Sequence, residues 1–227
     1  MGSERPAPPI FEERLTGLVA PDAFRFAVPL LLAGVLCLAF GFGVLGALAL
    51  GLGAFVTAFF RNPPRQIPPG ERSVVAPADG RVIALDEIEG PGGEKALRIG
   101  IFLSVFDVHV NRAPLAGRVV AIERSGNAFL AAFNPEAETR NVRLALVLEL
   151  ASGVRIRVVQ ITGLIARRIV CHAQVGEWLP RGSRYGLIRF GSRTDVVLPA
   201  GSRALVKRGD RVRGGASLVA ELPGAAT

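Results

Sequence analysis

The sequence predicts a mainly β (α+β) chain, a β-rich soluble domain preceded by an N-terminal helical hairpin that enters a membrane. Three observations lead there. Residues 26–60 run for 35 positions without a charge. Downstream lie short β-branched or alternating runs bounded by Gly, Pro and Asn, the pattern of buried and half-buried strands. Between the two stands "RNPPRQIPPG", residues 61–70, whose four prolines forbid helix and make a stiff exit.

Taken in order, residues 1–25 are a polar, proline-containing lead and residues 26–60 the apolar segment. A bilayer needs roughly 20 residues of helix, and a single helix over the whole segment would be roughly 50 Å long. Gly41-Phe42-Gly43 offers a break, so two shorter helices form a hairpin with both ends on one side; a single tilted span is the alternative. Arg14 and Arg25 precede the segment and Arg61, Arg65 and Arg72 follow it. Positive charge on both flanks predicts two cytoplasmic ends, hence a cell-membrane protein with its soluble domain on the cytoplasmic side. The segment starts too late, and lacks the small-residue cleavage pattern, for a removable signal peptide.

A linker covers residues 61–72 and the soluble domain residues 73–227. Its strand signals are "RVIALDEI", "ALRIGIFL", "GRVVAIER", "VRLALVLEL" and "GVRIRVVQI"; short helices are expected at residues 104–108 and 163–171. "VGEWLPRG" and "RGDRVRGG" share the order Gly, acid, any, aliphatic, any, any, Gly. Glycine and the acid make the turn and the aliphatic residue faces the core. The hairpins of lipoyl and biotinyl carrier domains are similar, but neither repeat presents a lysine for modification.

The formal net charge is +8, and of 27 basic residues only Lys95 and Lys207 are lysines. With one Trp and one Tyr there is no aromatic ladder for base stacking, so nucleic acid is not the expected partner; anionic lipid headgroups fit the basicity better. Cys37 and Cys171 form neither a disulfide framework nor a metal-ligand pattern, and two histidines make a zinc site improbable.

Chemistry, if present, needs a nucleophile with a base. Gly191-Ser192 lies between two apolar runs in "LIRFGSRTDVVLP" and by itself reads as a turn. His172 has no acid beside it and reads as structural. His109, in "LSVFDVHVNRAP", has Asp107 two residues before it and Asn111-Arg112 after; it reads equally as a functional group and as a half-buried strand residue. Asp79, in "VVAPADGRVI", reads on its own as a turn former.

In order along the chain, "FFRNPPR", "APADGRV", "LSVFDVHVNRAP", "GLIARRIV" and "RFGSRTDVVLP" resemble the landmarks of the short, membrane-anchored, pyruvoyl-dependent phosphatidylserine decarboxylases. The resemblance implies that Ser192 attacks the Gly191 carbonyl and the chain cuts itself between them. A large chain of residues 1–191 and a small one of residues 192–227 would remain associated, Ser192 becoming a covalent pyruvoyl group. It further implies that Asp79 and His109 assist as base and orienting acid, that His109 donates a proton in decarboxylation, and that phosphatidylserine in the membrane is the substrate. The family's longer branch has two histidines where this chain has His109 and Arg112, so His109 serves both steps or Asp79 works with another group. The segment of residues 126–143 resembles a substrate-side loop. Phe129 and Phe133 would meet acyl chains, and Asn141 and Arg143 match two of three positions of its Asn-Glu-Arg pattern, Arg143 as a phosphate contact. A membrane-tethered adaptor without catalysis is the competing reading. A homo-oligomer is also expected, through the apolar hairpin or through an edge strand such as residues 196–198.

Overall fold

The computed structural model describes residues 17–90, 93–132, 134, 136–164, 168–189 and 192–224. Gly191, Phe190 and Phe133 therefore lie outside the described residues, as does the middle of the segment 163–171. The chain divides into two compact units, with the division between Pro64 and Arg65.

The first unit is a pair of helices, α1 (Phe24–Ala39) and α2 (Gly43–Phe59). The chain turns between them at Gly41, whose φ of 85° suits glycine. Gly34, Gly46 and Gly53 let the helices approach, because a Cβ at each would collide with Leu50, Leu38 and Leu31 respectively. At the open end Asn62 closes the pair: its N–H donates to Leu18 O at 2.6 Å and its Nδ2 to Gly17 O at 2.8 Å. Leu32, Leu36, Leu45 and Leu48 point outward, each more than half exposed. Residues Pro21–Ala39 are long and apolar enough to cross a membrane, while Gly43–Phe59 is shorter.

The second unit is mainly β. Its strands are β1 (Ser73–Val75), β2 (Gly80–Glu89), β3 (Lys95–Leu103), β4 (Val110–Arg112), β5 (Gly117–Ser125), β6 (Arg143–Glu149), β7 (Arg155–Ile161), β8 (Ile169–Cys171), β9 (Trp178–Leu179), β10 (Arg184–Ile188), β11 (Ser192–Pro199), β12 (Arg203–Ala204), β13 (Arg211–Val212) and β14 (Leu218–Glu221). An eight-stranded sheet runs β13-β2-β3-β11-β7-β6-β5-β9, joined by the three-stranded sheets β4-β10-β8 and β1-β14-β12. Side chains alternate across each strand, which sends Ile99, Ile101, Leu146, Leu148, Val158, Val196 and Leu198 into one core.

Three local expectations need correction. Residues 104–108 form a turn rather than a helix, because the Asp107 carboxylate takes the Ser104 N–H and Oγ–H at 2.8 and 2.7 Å. The described part of residues 163–171 contains no helix, and Ile169–Cys171 is a strand. Residues 196–198 are not an edge: β11 is paired on both sides, by β3 and by β7. A short helix the sequence reading did not anticipate, α3 (Ala137–Arg140), precedes β6.

The repeated Gly-acid turns belong to a larger duplication. "APADGRV" (residues 76–82) is echoed by "APLAGRV" (residues 113–119), and the two copies match bond for bond. Val82 N–H donates to Asp210 O at 2.9 Å and Gly209 N–H to Val82 O at 2.8 Å; Val119 N–H donates to Glu177 O at 2.7 Å and Gly176 N–H to Val119 O at 2.8 Å. Arg81 reaches Gly209 O as Arg118 reaches Gly176 O, at 2.9 and 2.7 Å. Both strands bulge after the repeated valine. The sheet is thus two similar four-stranded halves meeting where Val196 faces Val158. They differ at one place. In the second half a tight turn through Gly153 (φ 79°) joins β6 to β7; in the first half the equivalent ends, Leu103 and Ser192, face each other with residues 104–191 between them.

Leu146→Ala, at the fully buried centre of this core, should destabilise the domain by about 2–5 kcal/mol. The expected readout is a lower denaturant midpoint with an unchanged slope.

Candidate active site

The opened turn gathers the chemical residues. Ser192 is the first residue of β11, paired with Leu103 at the end of β3. It is 0% exposed, and its Oγ has no hydrogen-bond partner among the described residues. A buried hydroxyl left unpaired costs free energy, so its position asks for an explanation that packing does not supply.

Asp79 approaches from the other side of β3. It precedes Gly80, the first residue of β2, whose backbone (φ 152°) passes so close to Phe102 O that a side chain would collide. One Asp79 carboxylate oxygen accepts the Gly214 N–H at 2.7 Å and the other accepts from Arg65 at 2.7 Å. Burial pushes the Asp79 carboxyl up from the ordinary carboxylate range; the Gly214 N–H and the Arg65 charge pull it down, and Asp107 adds a further push upward.

His109 follows the Asp107 turn and is 2% exposed. Its Nδ1 lies 2.9 Å from Asp107 O. A carbonyl only accepts, so Nδ1 carries the proton and Nε2 is the proton-accepting nitrogen. The His109 carbonyl takes the Ile188 N–H at 3.3 Å. From Ile188 the chain has four steps to Ser192, roughly 15 Å at most.

Behind Ser192, on the same face of β11, the core turns polar. Gln160 Nε2 donates to Asn111 Oδ1 at 2.6 Å, and Asn111 Nδ2 donates to Thr194 Oγ1 at 3.4 Å. All three residues are 0% exposed. On the opposite face, Arg193 grips Asp195 through two bonds of 2.6 and 2.7 Å with both side chains nearly buried. Glu138 of α3 bonds to Arg98 and lies 3.4 Å from Arg193. Sequence reading missed Gln160, Thr194 and Arg65. The signal for the first two was polar residues at inward positions of aliphatic strands; Arg65 entered as a flanking charge and the last residue of "FFRNPPR", with nothing in the linker to mark it as a site residue.

The remaining candidates lie on the far side of β7 from Ser192. Asn141 is fully buried and fully used: Nδ2 donates to Leu130 O and Thr162 O, each at 2.8 Å, and Oδ1 accepts the Leu130 N–H at 2.7 Å. It staples the loop bearing half-buried Phe129 to β7. Arg143 donates from Nε to Ser125 Oγ at 2.7 Å and also reaches Glu138 O. With Arg124 and Arg168 it lines a cleft of about 350 Å³ that, among the described residues, no carboxylate lines. Arg168 O accepts the Arg189 N–H at 3.2 Å, which fixes the cleft beside the segment leading to Ser192.

Asn141→Ala should cost about 1–3 kcal/mol for each buried partner left unpaired. The expected readouts are a lower melting temperature and faster tryptic cleavage within residues 124–140.

Comparison with known proteins converges on one family. The family model described as phosphatidylserine decarboxylase matches residues 52–220. A phosphatidylserine decarboxylase proenzyme of Pelobacter propionicus is 50% identical over 191 residues, covering 84% of this chain and 86% of that protein. Proenzymes of the same description from Aromatoleum aromaticum and Symbiobacterium thermophilum are 45% and 47% identical over 208 residues, 91% of this chain and 96% of theirs. The chain belongs to the phosphatidylserine decarboxylase family.

Proposed function

We propose that this chain is a self-processing decarboxylase, converting phosphatidylserine to phosphatidylethanolamine and carbon dioxide at a cytoplasmic membrane face with a pyruvoyl group made from Ser192. The observation that carries the reading is the buried Ser192 Oγ at the start of a central strand, without a hydrogen-bond partner among the described residues.

Self-cleavage needs that oxygen free to react. Ser192 Oγ attacks the Gly191 carbonyl carbon, and its proton passes to a base, His109 Nε2, whose Nδ1–H is held by Asp107 O, with the Asp79 carboxylate as the acid that the family resemblance implies. The C–N bond breaks, the Ser192 nitrogen takes a proton, and an ester links the two halves. Loss of the Ser192 Cα proton then expels Oγ with Gly191 as its carboxylate, leaving dehydroalanine. Water converts its amine end to a ketone and releases ammonia. The residues fit the product, because Oγ departs without breaking any hydrogen bond among the described residues. When present, the pyruvoyl group supplies an electron sink for the carbanion that carbon dioxide leaves behind.

The chain's own groups supply the rest. His109 holds a proton at Nε2 for return to that carbon, and its burial keeps water from competing. Arg143, with Arg124 and Arg168, offers the headgroup phosphate a cationic cleft. Phe129 faces the acyl chains. Helices α1 and α2, with outward leucines, sit in the bilayer. The duplicated turns support reading the soluble domain as built on lipoyl-like hairpins. The small chain stays associated because β11 is paired along both edges.

The deciding experiment is the intact mass of the folded, detergent-solubilised protein beside Ser192→Ala. Two fragments are expected from the parent, the smaller beginning at residue 192 and blocked to amino-terminal sequencing, with one uncut chain of 24.0 kDa from the variant. A parent that stays whole overturns the reading. Separately, Arg124→Ala with Arg168→Ala should raise KM for phosphatidylserine by about tenfold, the size of one charge-assisted contact of about 1.4 kcal/mol, while the extent of self-cleavage is unchanged.

A further inference from the structure

The proline-rich linker looks from its composition like a spacer, but the structure ties it into the domain at three points. Arg181 donates to the carbonyls of Pro68 and Gly70, and to that of Ser73 at 3.0 Å. Ile67 lies against both Gly182 and Gly215, the glycines that close the two repeated turns; a Cβ at either would press on its side chain. Both have φ near 77°, so glycine is required there for conformation as well as space. Two residues before Ile67, Arg65 reaches the Asp79 carboxylate at 2.7 Å, with side chains only 13% and 15% exposed.

We propose that Arg65 is a positioning residue for self-cleavage, delivered by the linker to hold the Asp79 carboxylate charged and aimed. The proposal rests on the self-processing reading above and assigns the linker a role in it. An ion pair this enclosed is screened far less than a surface pair. The second hydrogen bond, from the Gly214 N–H, leaves the carboxylate with little freedom to rotate. Stiff prolines on both sides of Arg65 limit the entropy lost in placing it.

The other charged groups around Asp79 are few. Asp107, from the turn after β3, opposes its ionisation. Arg112 of β4 passes beside Gly215 and donates to Gly182 O at 2.9 Å, so its guanidinium is engaged elsewhere. Among the described residues, Arg65 is thus the cation that offsets burial at Asp79. Removing it lets the Asp79 carboxyl rise further, so at a given pH less of it is ionised, and higher pH restores the ionised form.

The test follows cleavage of full-length chain, made by cell-free translation into lipid nanodiscs and shifted to buffers from mildly acidic to alkaline. The parent should show an acid limb in its cleavage rate. In Arg65→Gln that limb should move to higher pH, with about a tenfold slower rate on the acid side for each unit of movement and recovery at alkaline pH. Arg65→Lys keeps the charge and should cleave within about threefold of the parent; it also carries the test should Arg65→Gln fail to fold. An Arg65→Gln profile superimposable on the parent's overturns the proposal, as does an equal loss at every pH with a lowered melting temperature, which marks a structural ion pair. An Arg65→Lys loss as deep as that of Arg65→Gln overturns it too. Asp79→Asn separates the two levels: if it cleaves like the parent, or the parent does not cleave, the self-processing role of Asp79 fails and the Arg65 assignment falls with it.

Discussion

The structure depends on β11 being held from every side. Its backbone is paired along both edges, to β3 and to β7. One face sends Val196 and Leu198 into the core, and the other is pinned by Arg193 and Asp195. A buried ion pair contributes little net stability against an apolar alternative, but breaking it is costly; here its two bonds fix side chains immediately after Ser192. That rigidity lets a serine sit at a strand start with a hydroxyl unsatisfied among the described residues. The strain is local, and the sheet around it supplies the stability.

Much of this architecture was legible in the sequence because period-two alternation and turn glycines are local signals. The five longest strand signals correspond to β2, β3, β5, β6 and β7, and the apolar segment to two helices broken near Gly41. What failed were places where one side chain overrode propensity. Asp107 captures the Ser104 N–H and turns "SVFDV" away from helix. The pairing of residues 196–198 depends on β3 and β7, distant in sequence, so no local pattern could show that they are central. The duplication is only half legible: the Gly-acid turns show in the sequence, while the match of "APADGRV" to "APLAGRV" emerges once the structure sets their hydrogen bonds side by side.

The site divides along the same line. Ser192, His109 and Asp79 carry their chemistry in their side chains, and a resemblance could point to them. Asn141 shows the opposite: the same resemblance suggested a ligand contact, and the structure shows a buried amide spent on backbone groups. Comparing the halves shows where the fold was modified. Asp79 stands where the second half has Ala116, and Ser192 where it has Val154. The two proposed chemical residues thus sit where the halves differ, beside the one opened turn.

That opened turn has a consequence for the history of each molecule. The second half is closed by covalent continuity through Gly153. The first half, under the proposed cut before Ser192, would be closed by the ladder between β3 and β11. Before cutting, the central strand finds its place within one chain, at the high effective concentration that a tether confers. Afterwards the same strand would belong to a short separate chain, and finding its place again would be a second-order encounter. The processed protein would then be persistent without being renewable: the fold is set once by the precursor and kept by a barrier rather than an equilibrium.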